Sequence, residues 1–115
     1  MQTTCPLICE PGRPRARYAV LPVEFYVDSD DGHAMLVFRW FYKKADIDRK
    51  ALAGLKKPDT FDARDELALG RGIFATPLEY VRGATTVFGA VPRRKAYYCT
   101  RDYDEAKRKL YKRQL

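Results

Sequence analysis

A small, mainly β domain is what this sequence predicts, and three features predict it. Aromatic residues make up 13% of its 115 residues, with eight Tyr, six Phe and one Trp, and such rings suit pleated, half-buried surfaces. Short apolar runs follow one another along the chain, separated by Gly, Pro and Asp clusters. No helix-length segments alternate with those runs, which argues against a parallel α/β arrangement and for a small twisted barrel or sheet. The length suffices for one core without metal or disulfide staples.

The elements follow in order. Residues 1–16, with Pro6, Pro11, Pro14, Arg13 and Arg15, read as an extended N-terminal arm ahead of a domain spanning 17–115. Tyr18–Val27 reads as a strand in which Pro22 requires an edge or a bulge. Asp28-Ser29-Asp30-Asp31-Gly32 is a turn, and Ala34–Tyr42 returns as the partner strand of a hairpin. The charged stretch Asp46–Phe61 connects onward, with one helical turn expected near Ala51–Leu55. Glu66–Leu69 is a short strand, Gly70-Arg71-Gly72 a flexible loop, and Pro77–Val81 and Thr85–Phe88 two strands broken at Arg82-Gly83. The basic loop Pro92-Arg93-Arg94-Lys95 precedes the strand Ala96–Thr100. Asp104 is placed to cap a short C-terminal helix, Glu105–Arg113, whose acid-first, base-last order suits the helix dipole.

The chain carries a net charge of +7, with 22 Lys+Arg against 15 Asp+Glu, so an acidic partner such as nucleic acid or a nucleosome is expected. Cys5, Cys9 and Cys99 are odd in number and lack the second Cys or His pair of a zinc site. A reduced, intracellular setting is therefore expected. No segment reaches the ~18 to 20 apolar residues of a membrane span, and none reads as a signal peptide. No catalytic arrangement is visible: His33 lacks a nucleophile, and Asp28, Asp30 and Asp31 lack the closing Glu of a calcium loop. The expectation is a non-enzymatic protein without metal or cofactor.

Arg39-Trp40-Phe41-Tyr42, at the end of the second hairpin strand, is the most informative stretch. Alternation along a strand puts Leu36, Phe38, Trp40 and Tyr42 on one face. Adjacent Trp and Tyr rings near a polar strand end are suited to a quaternary ammonium cage, and equally to ordinary core packing.

The order of signals resembles the bromo-adjacent homology (BAH) domain of chromatin proteins. It runs through Tyr18, then Val27-Asp28-Ser29-Asp30-Asp31-Gly32, then Arg39-Trp40-Phe41-Tyr42. Asp65-Glu66-Leu67-Ala68-Leu69 and Pro77-Leu78-Glu79-Tyr80-Val81-Arg82-Gly83 follow, then Tyr97-Tyr98-Cys99 and Asp102-Tyr103-Asp104. The resemblance covers residues 17–105. It implies a small twisted β-barrel and a nuclear chromatin module that reads histone tails or nucleosomes in gene silencing or heterochromatin. It also implies a methyl-lysine cage of Tyr18, Trp40 and Tyr42, completed by Asp46. Where the family commonly has Ser-Asp-His and a further Asp, this chain has Gly70-Arg71-Gly72-Ile73-Phe74. Arg71 is then expected to disfavour basic tail segments beside the mark, and Phe74 to offer an apolar contact. A second reading is a charge-driven nucleosome or DNA binder using Arg93, Arg94, Lys95, Lys107, Arg108 and Lys109, with Lys112, Arg113, Arg13 and Arg15 as further candidates. A third is an interaction module docking on other subunits of a silencing complex.

Overall fold

Two long strands set the architecture. A computed structural model describes residues 2–10, 13–56 and 60–113, and the side chains of all of these except residues 10 and 13–15. Arg13 and Arg15, two of the candidate basic side chains, lie outside that set. β1 (Gln2–Glu10) and β2 (Arg13–Val27) are followed by β3 (Ala34–Tyr42), a five-residue helix α1 (Arg49–Ala53) and β4 (Glu66–Gly70). β5 (Phe74–Pro77), β6 (Val81–Phe88), β7 (Tyr97–Asp104) and β8 (Lys109–Lys112) complete the order.

β2 is 15 residues long, enough to serve two partners in succession. Its first half pairs with β1 (Leu7 opposite Ala19) and its second half with β3 (Val20 opposite Trp40, through to Val27 opposite Ala34). β3 likewise pairs with β5 along Met35–Phe38 and then with β4 at Phe41 and Tyr42. β4 and β7 run parallel, as do β6 and β7, and β6 is antiparallel to β1. The pairings therefore close a ring in the order β2-β1-β6-β7-β4-β3, with β5 outside on β3 and β8 on β7. The expected bulge is present: the β2–β3 register shifts between Pro22 and Glu24, where proline has no N–H to give the ladder. Gly32, at φ 73°, takes the left-handed position that the hairpin turn needs.

Every strand of the ring contributes to one buried cluster: Cys5, Ala19, Phe41, Leu67, Leu69, Val87 and Cys99. Burial pushes the Cys5 thiol up to about 11, with neighbouring Cys99 adding to the shift, so at neutral pH it is an apolar core group. On the outside of β4, Ala68 packs with Ile47, Ala51, Phe61 and Tyr103 beneath α1. A third cluster, Ile8, Val20, Leu36 and Phe38, lies where β2 and β3 run together.

Three expectations are corrected. Residues 2–10 are no arm: β1 lies between β2 and β6 in the ring and buries Cys5, Ile8 and Cys9. Pro6 is accommodated because the β1–β6 register shifts just after it. Pro77–Val81 is not a strand of its own. It spans the end of β5 and a single 3-10 turn, Leu78–Tyr80, and Val81 already opens β6, which continues through Gly83 to Phe88. The C-terminal helix is absent. Asp104 does accept the Lys107 N–H through Oδ1 (3.0 Å), as a cap would. The chain then reverses at Arg108, whose φ is 54°, and Lys109–Lys112 pairs antiparallel with Asp104–Arg101 of β7. A short isolated helix is marginal, whereas the strand satisfies an open edge and packs Leu110 against the Tyr103 cluster.

Candidate functional site

Strand alternation puts Phe38, Trp40 and Tyr42 on one face of β3, and the surrounding elements divide them. Trp40 stands edge-to-face with Phe38 (ring centroids 4.8 Å, 87°) and with Tyr18 of β2 (5.9 Å, 86°). Phe74 of β5, opposite Phe38 in register, comes within 6.2 Å of Trp40. It remains 44% exposed, while Phe38 below it is only 2% exposed. Phe38 is thus the floor, and Tyr18, Trp40 and Phe74 are the walls of a corner that opens to solvent.

Tyr42 belongs to the adjacent compartment. Its ring is edge-to-face with Tyr103 (5.2 Å, 86°), and its hydroxyl donates to Glu105 Oε2 (3.1 Å). Burial, then Glu105, Tyr103 and Asp46, raise the Tyr42 pKa well above its ordinary value of 10, so the hydroxyl stays protonated and a donor. Asp46, exposed in a 3-10 turn just after β3, is therefore close enough for its charge to be felt at Tyr42. The expected quartet is split: the structure joins Tyr18 to Trp40, supplies Phe74 as their third ring, and sets Tyr42 and Asp46 beside them around a second carboxylate.

That carboxylate, Glu105, is the residue that sequence reasoning missed, because it was assigned to a helix. Its Oε1 accepts the Arg71 N–H (2.8 Å), and both oxygens lie 3.3 Å from the Gly72 N–H. The strip Gly70-Arg71-Gly72 is consequently held between the two compartments. A Cβ at Gly70 would come within 2.6 Å of the Tyr42 ring and 2.7 Å of Glu105; one at Gly72 would come within 2.8 Å of the Phe74 ring. The Gly-x-Gly spacing was the available signal, since glycine permits close backbone approach. The loop read as flexible is instead fastened from both sides. Arg39 Nε adds a bond to the Gly70 carbonyl (2.7 Å).

Arg71 is exposed, yet its charge is taken up by neighbours in the fold. Its guanidinium pairs with Asp104 (3.1 Å) and lies 4.7 Å from the centre of the Tyr111 ring. The backbone N–H bond from Lys107 is the main cause that holds the Asp104 carboxyl below the ordinary 3.8; burial opposes it, and the charge of Arg71 comes next in lowering it.

The candidate basic residues fall into two groups. Arg93, Arg94 and Lys95 precede β7 and are exposed; Lys107, Arg108 and Lys109 follow it and are also exposed. A strand of this length separates them by about 23 Å at ~3.3 Å per residue, so they do not form one patch. Arg108 is moreover engaged by Asp48 (3.7 Å). Among the described residues no group of His, Cys, Asp and Glu is arranged to hold a metal ion, and no helix is long and apolar enough to cross a membrane.

No protein-family model matches this chain, and no curated protein matches it.

Proposed function

We propose that this protein is a chromatin reader of the bromo-adjacent homology type, which binds histone tails on nucleosomes in the nucleus and recognises a methylated lysine as part of gene silencing. The observation that carries the reading is the open corner of Tyr18, Trp40 and Phe74, with ring centroids 5.9 and 6.2 Å from Trp40. Rings turned 86° (Tyr18) and 57° (Phe74) from Trp40 offer π faces from more than one direction, and a methylated ammonium, cheaply dehydrated, is attracted to such faces within about 6 Å. Asp46 and Glu105, grouped around Tyr42, add negative charge beside the corner. The ring of six paired strands supports the small barrel expected of that family, and Arg39-Trp40-Phe41-Tyr42 supplies its most characteristic stretch. Because Arg71 is neutralised by Asp104, it repels a basic tail less than its sequence position implied.

Calorimetry with histone peptides that carry or lack trimethyl-lysine tests this reading. The trimethylated member of one pair should bind and its unmodified counterpart should not. Trp40→Ala should remove most of that difference, at roughly 0.5 to 2 kcal/mol per ring face. Since Trp40 also packs on Phe38, the exposed Phe74→Ala serves as a second variant with less consequence for folding. Equal affinities for modified and unmodified peptides across the panel would overturn the proposal.

A further inference from the structure

The start of β7 carries a second site, built from residues the cage does not use. A polar cleft of about 540 Å³ lies between β6 and the residues leading into β7. Thr85, Thr86, Arg64, Arg94, Lys95 and Tyr97 line it, and Asp65 is the one carboxylate on its wall. It shares Phe88 and Arg94 with a smaller depression of about 410 Å³, where exposed Val91 and half-buried Pro92 sit beside Arg93. The Arg94 guanidinium lies 5.5 Å from the centre of the Phe88 ring, and Lys43 Nζ 5.4 Å from that of Tyr97.

The charges around this cleft are mainly cationic. Among the described residues, Arg71, Arg101, Arg108 and Arg113 each pair with a carboxylate within 4.0 Å. Lys43, Arg64, Arg93, Arg94 and Lys95 are absent from those pairs, as are surface cations elsewhere such as Lys107, Lys109 and Lys112; what sets these five apart is that they gather around the cleft and its neighbour. Arg64 comes nearest to an exception, since its charge contributes to the lowered pKa of Asp62 after its backbone N–H. Five cations gathered where Asp65 is the one carboxylate on the wall, with Asp62 beside Arg64, leave an excess of positive charge that a polyanion relieves. The remaining features select the kind of polyanion. Threonine hydroxyls and a guanidinium fork suit phosphate oxygens. The guanidinium held over the Phe88 ring is itself a flat cation on which a base can stack, as in nucleic-acid grooves where aromatic and cationic groups interleave. An acidic peptide would make no use of those rings.

We infer that this cleft binds the phosphodiester backbone of a nucleic acid, with Arg93, Arg94 and Lys95 neutralising phosphates and Thr85 and Thr86 donating to their oxygens. The site is separate from the aromatic corner and does not depend on its reading.

Fluorescence anisotropy of the full chain with a short labelled DNA duplex, and with one of its single strands, gives the test when titrated across salt concentration. Each phosphate that is no longer neutralised lowers the slope of log affinity against log salt by about 0.9 for duplex and about 0.7 for single strand. Arg94→Ala/Lys95→Ala should reduce the slope by up to about two such increments. Lys107→Ala/Lys109→Ala removes the same charge at the far end of β7 and should leave the slope unchanged. Thr86→Val keeps shape and charge and should weaken binding a few-fold. Trp40→Ala should leave DNA affinity as it was, whatever it does to peptide binding. Whichever strand form binds more tightly identifies the source of the phosphates. Equal reductions of slope in the two double variants would overturn the inference in favour of net charge alone. So would absence of DNA binding at low salt, or displacement of DNA by polyglutamate more readily than by unlabelled duplex.

Discussion

The two halves of β7 hold their arginines in opposite circumstances, while lysines such as Lys107, Lys109 and Lys112 stand outside ion pairs at the far end too. From Arg101 onward, and in the segments packed there, arginines are tied to carboxylates: Arg101 to Glu66 (2.8 Å), Arg71 to Asp104 (3.1 Å), Arg113 to Asp102 (3.4 Å) and Arg108 to Asp48 (3.7 Å). Around Tyr97, at the start of the strand, Lys43, Arg64, Arg93, Arg94 and Lys95 stand outside any such pair among the described residues. A count of basic residues treats both regions alike. Physically the first holds the chain together and the second offers its charge to something else. The lesson is that a net charge of +7 says little until each cation is assigned a neighbour.

The comparison breaks first, and most visibly, at its most buried pair. Arg101 donates to Glu66 and to the Thr60 carbonyl (3.3 Å), and its guanidinium carbon lies 5.7 Å from the centre of the Phe61 ring. The two side chains are only 10% and 4% exposed. Removing one partner leaves the other charge buried and alone, which costs about 3–5 kcal/mol. Glu66→Ala should therefore lower the denaturation free energy by that order in a urea melt. Arg94→Ala, an exposed change, should stay within about ±0.5 kcal/mol. Comparable destabilisation in both variants would erase the distinction between the two regions.

A smaller effect is expected where the paired half meets the aromatic corner. Gly70 and Gly72 leave no room for a side chain, because Tyr42, Glu105 and Phe74 close on them. The Glu105 carboxylate cannot swing aside freely, since the Tyr42 hydroxyl and two backbone N–H groups hold it. Gly70→Ala should cost about 1–3 kcal/mol through overpacking. Its effect on trimethyl-lysine peptide binding should be smaller than that of Trp40→Ala, because Tyr42 lies in the compartment beside the aromatic corner. Glu105→Gln keeps the volume and most of the bonds, so a thermal melt should show a smaller destabilisation than for Gly70→Ala. A fully stable Gly70→Ala protein would mean that the strip is not fastened as described.

Legibility in the sequence divided along the same line. The hairpin, its turn at Asp28–Gly32, the bulge at Pro22 and the strands around Leu67, Val87 and Cys99 all follow from alternation and turn chemistry, which are local. β1 escaped because three prolines and two arginines in residues 1–16 outweigh a short apolar run, and only the register with β2 and β6 makes it a strand. The C-terminal segment escaped because Asp104 sends the signal of a helix cap in either outcome. The open edge of β7, a non-local feature, decides between them. Trp40 and Tyr18 were legible as a pair of rings by face and spacing. Glu105 was not, because its partners Tyr42 and Gly72 lie 63 and 33 positions away. The cleft at the start of β7 likewise draws Lys43, Arg64, Thr85 and Arg94 from four separate segments, and no motif spans them.

The smallest predicted effect distinguishes the two regions by acid. Asp104 is held below the ordinary 3.8, chiefly by the Lys107 N–H and then by Arg71. Its folded pKa is thus lower than its unfolded one. The stability this contributes is complete above the unfolded value and is lost as the pH falls through the folded value. Asp104→Asn retains an oxygen to accept the Lys107 N–H but has no charge to titrate or to pair with Arg71. The gap in melting temperature between the natural protein and this variant should be widest above about pH 5 and shrink toward pH 2. Asp62, also lowered, mainly by the Arg64 N–H, titrates in both proteins, so the difference isolates Asp104. Arg94→Ala, by contrast, should follow the natural protein in parallel through the same range, because Arg94 stays charged throughout and pairs with no carboxylate among the described residues. A gap for Asp104→Asn that does not change with pH would show that the carboxylate acts only as a hydrogen-bond acceptor, and that its pairing with Arg71 contributes nothing to the stability of the turn.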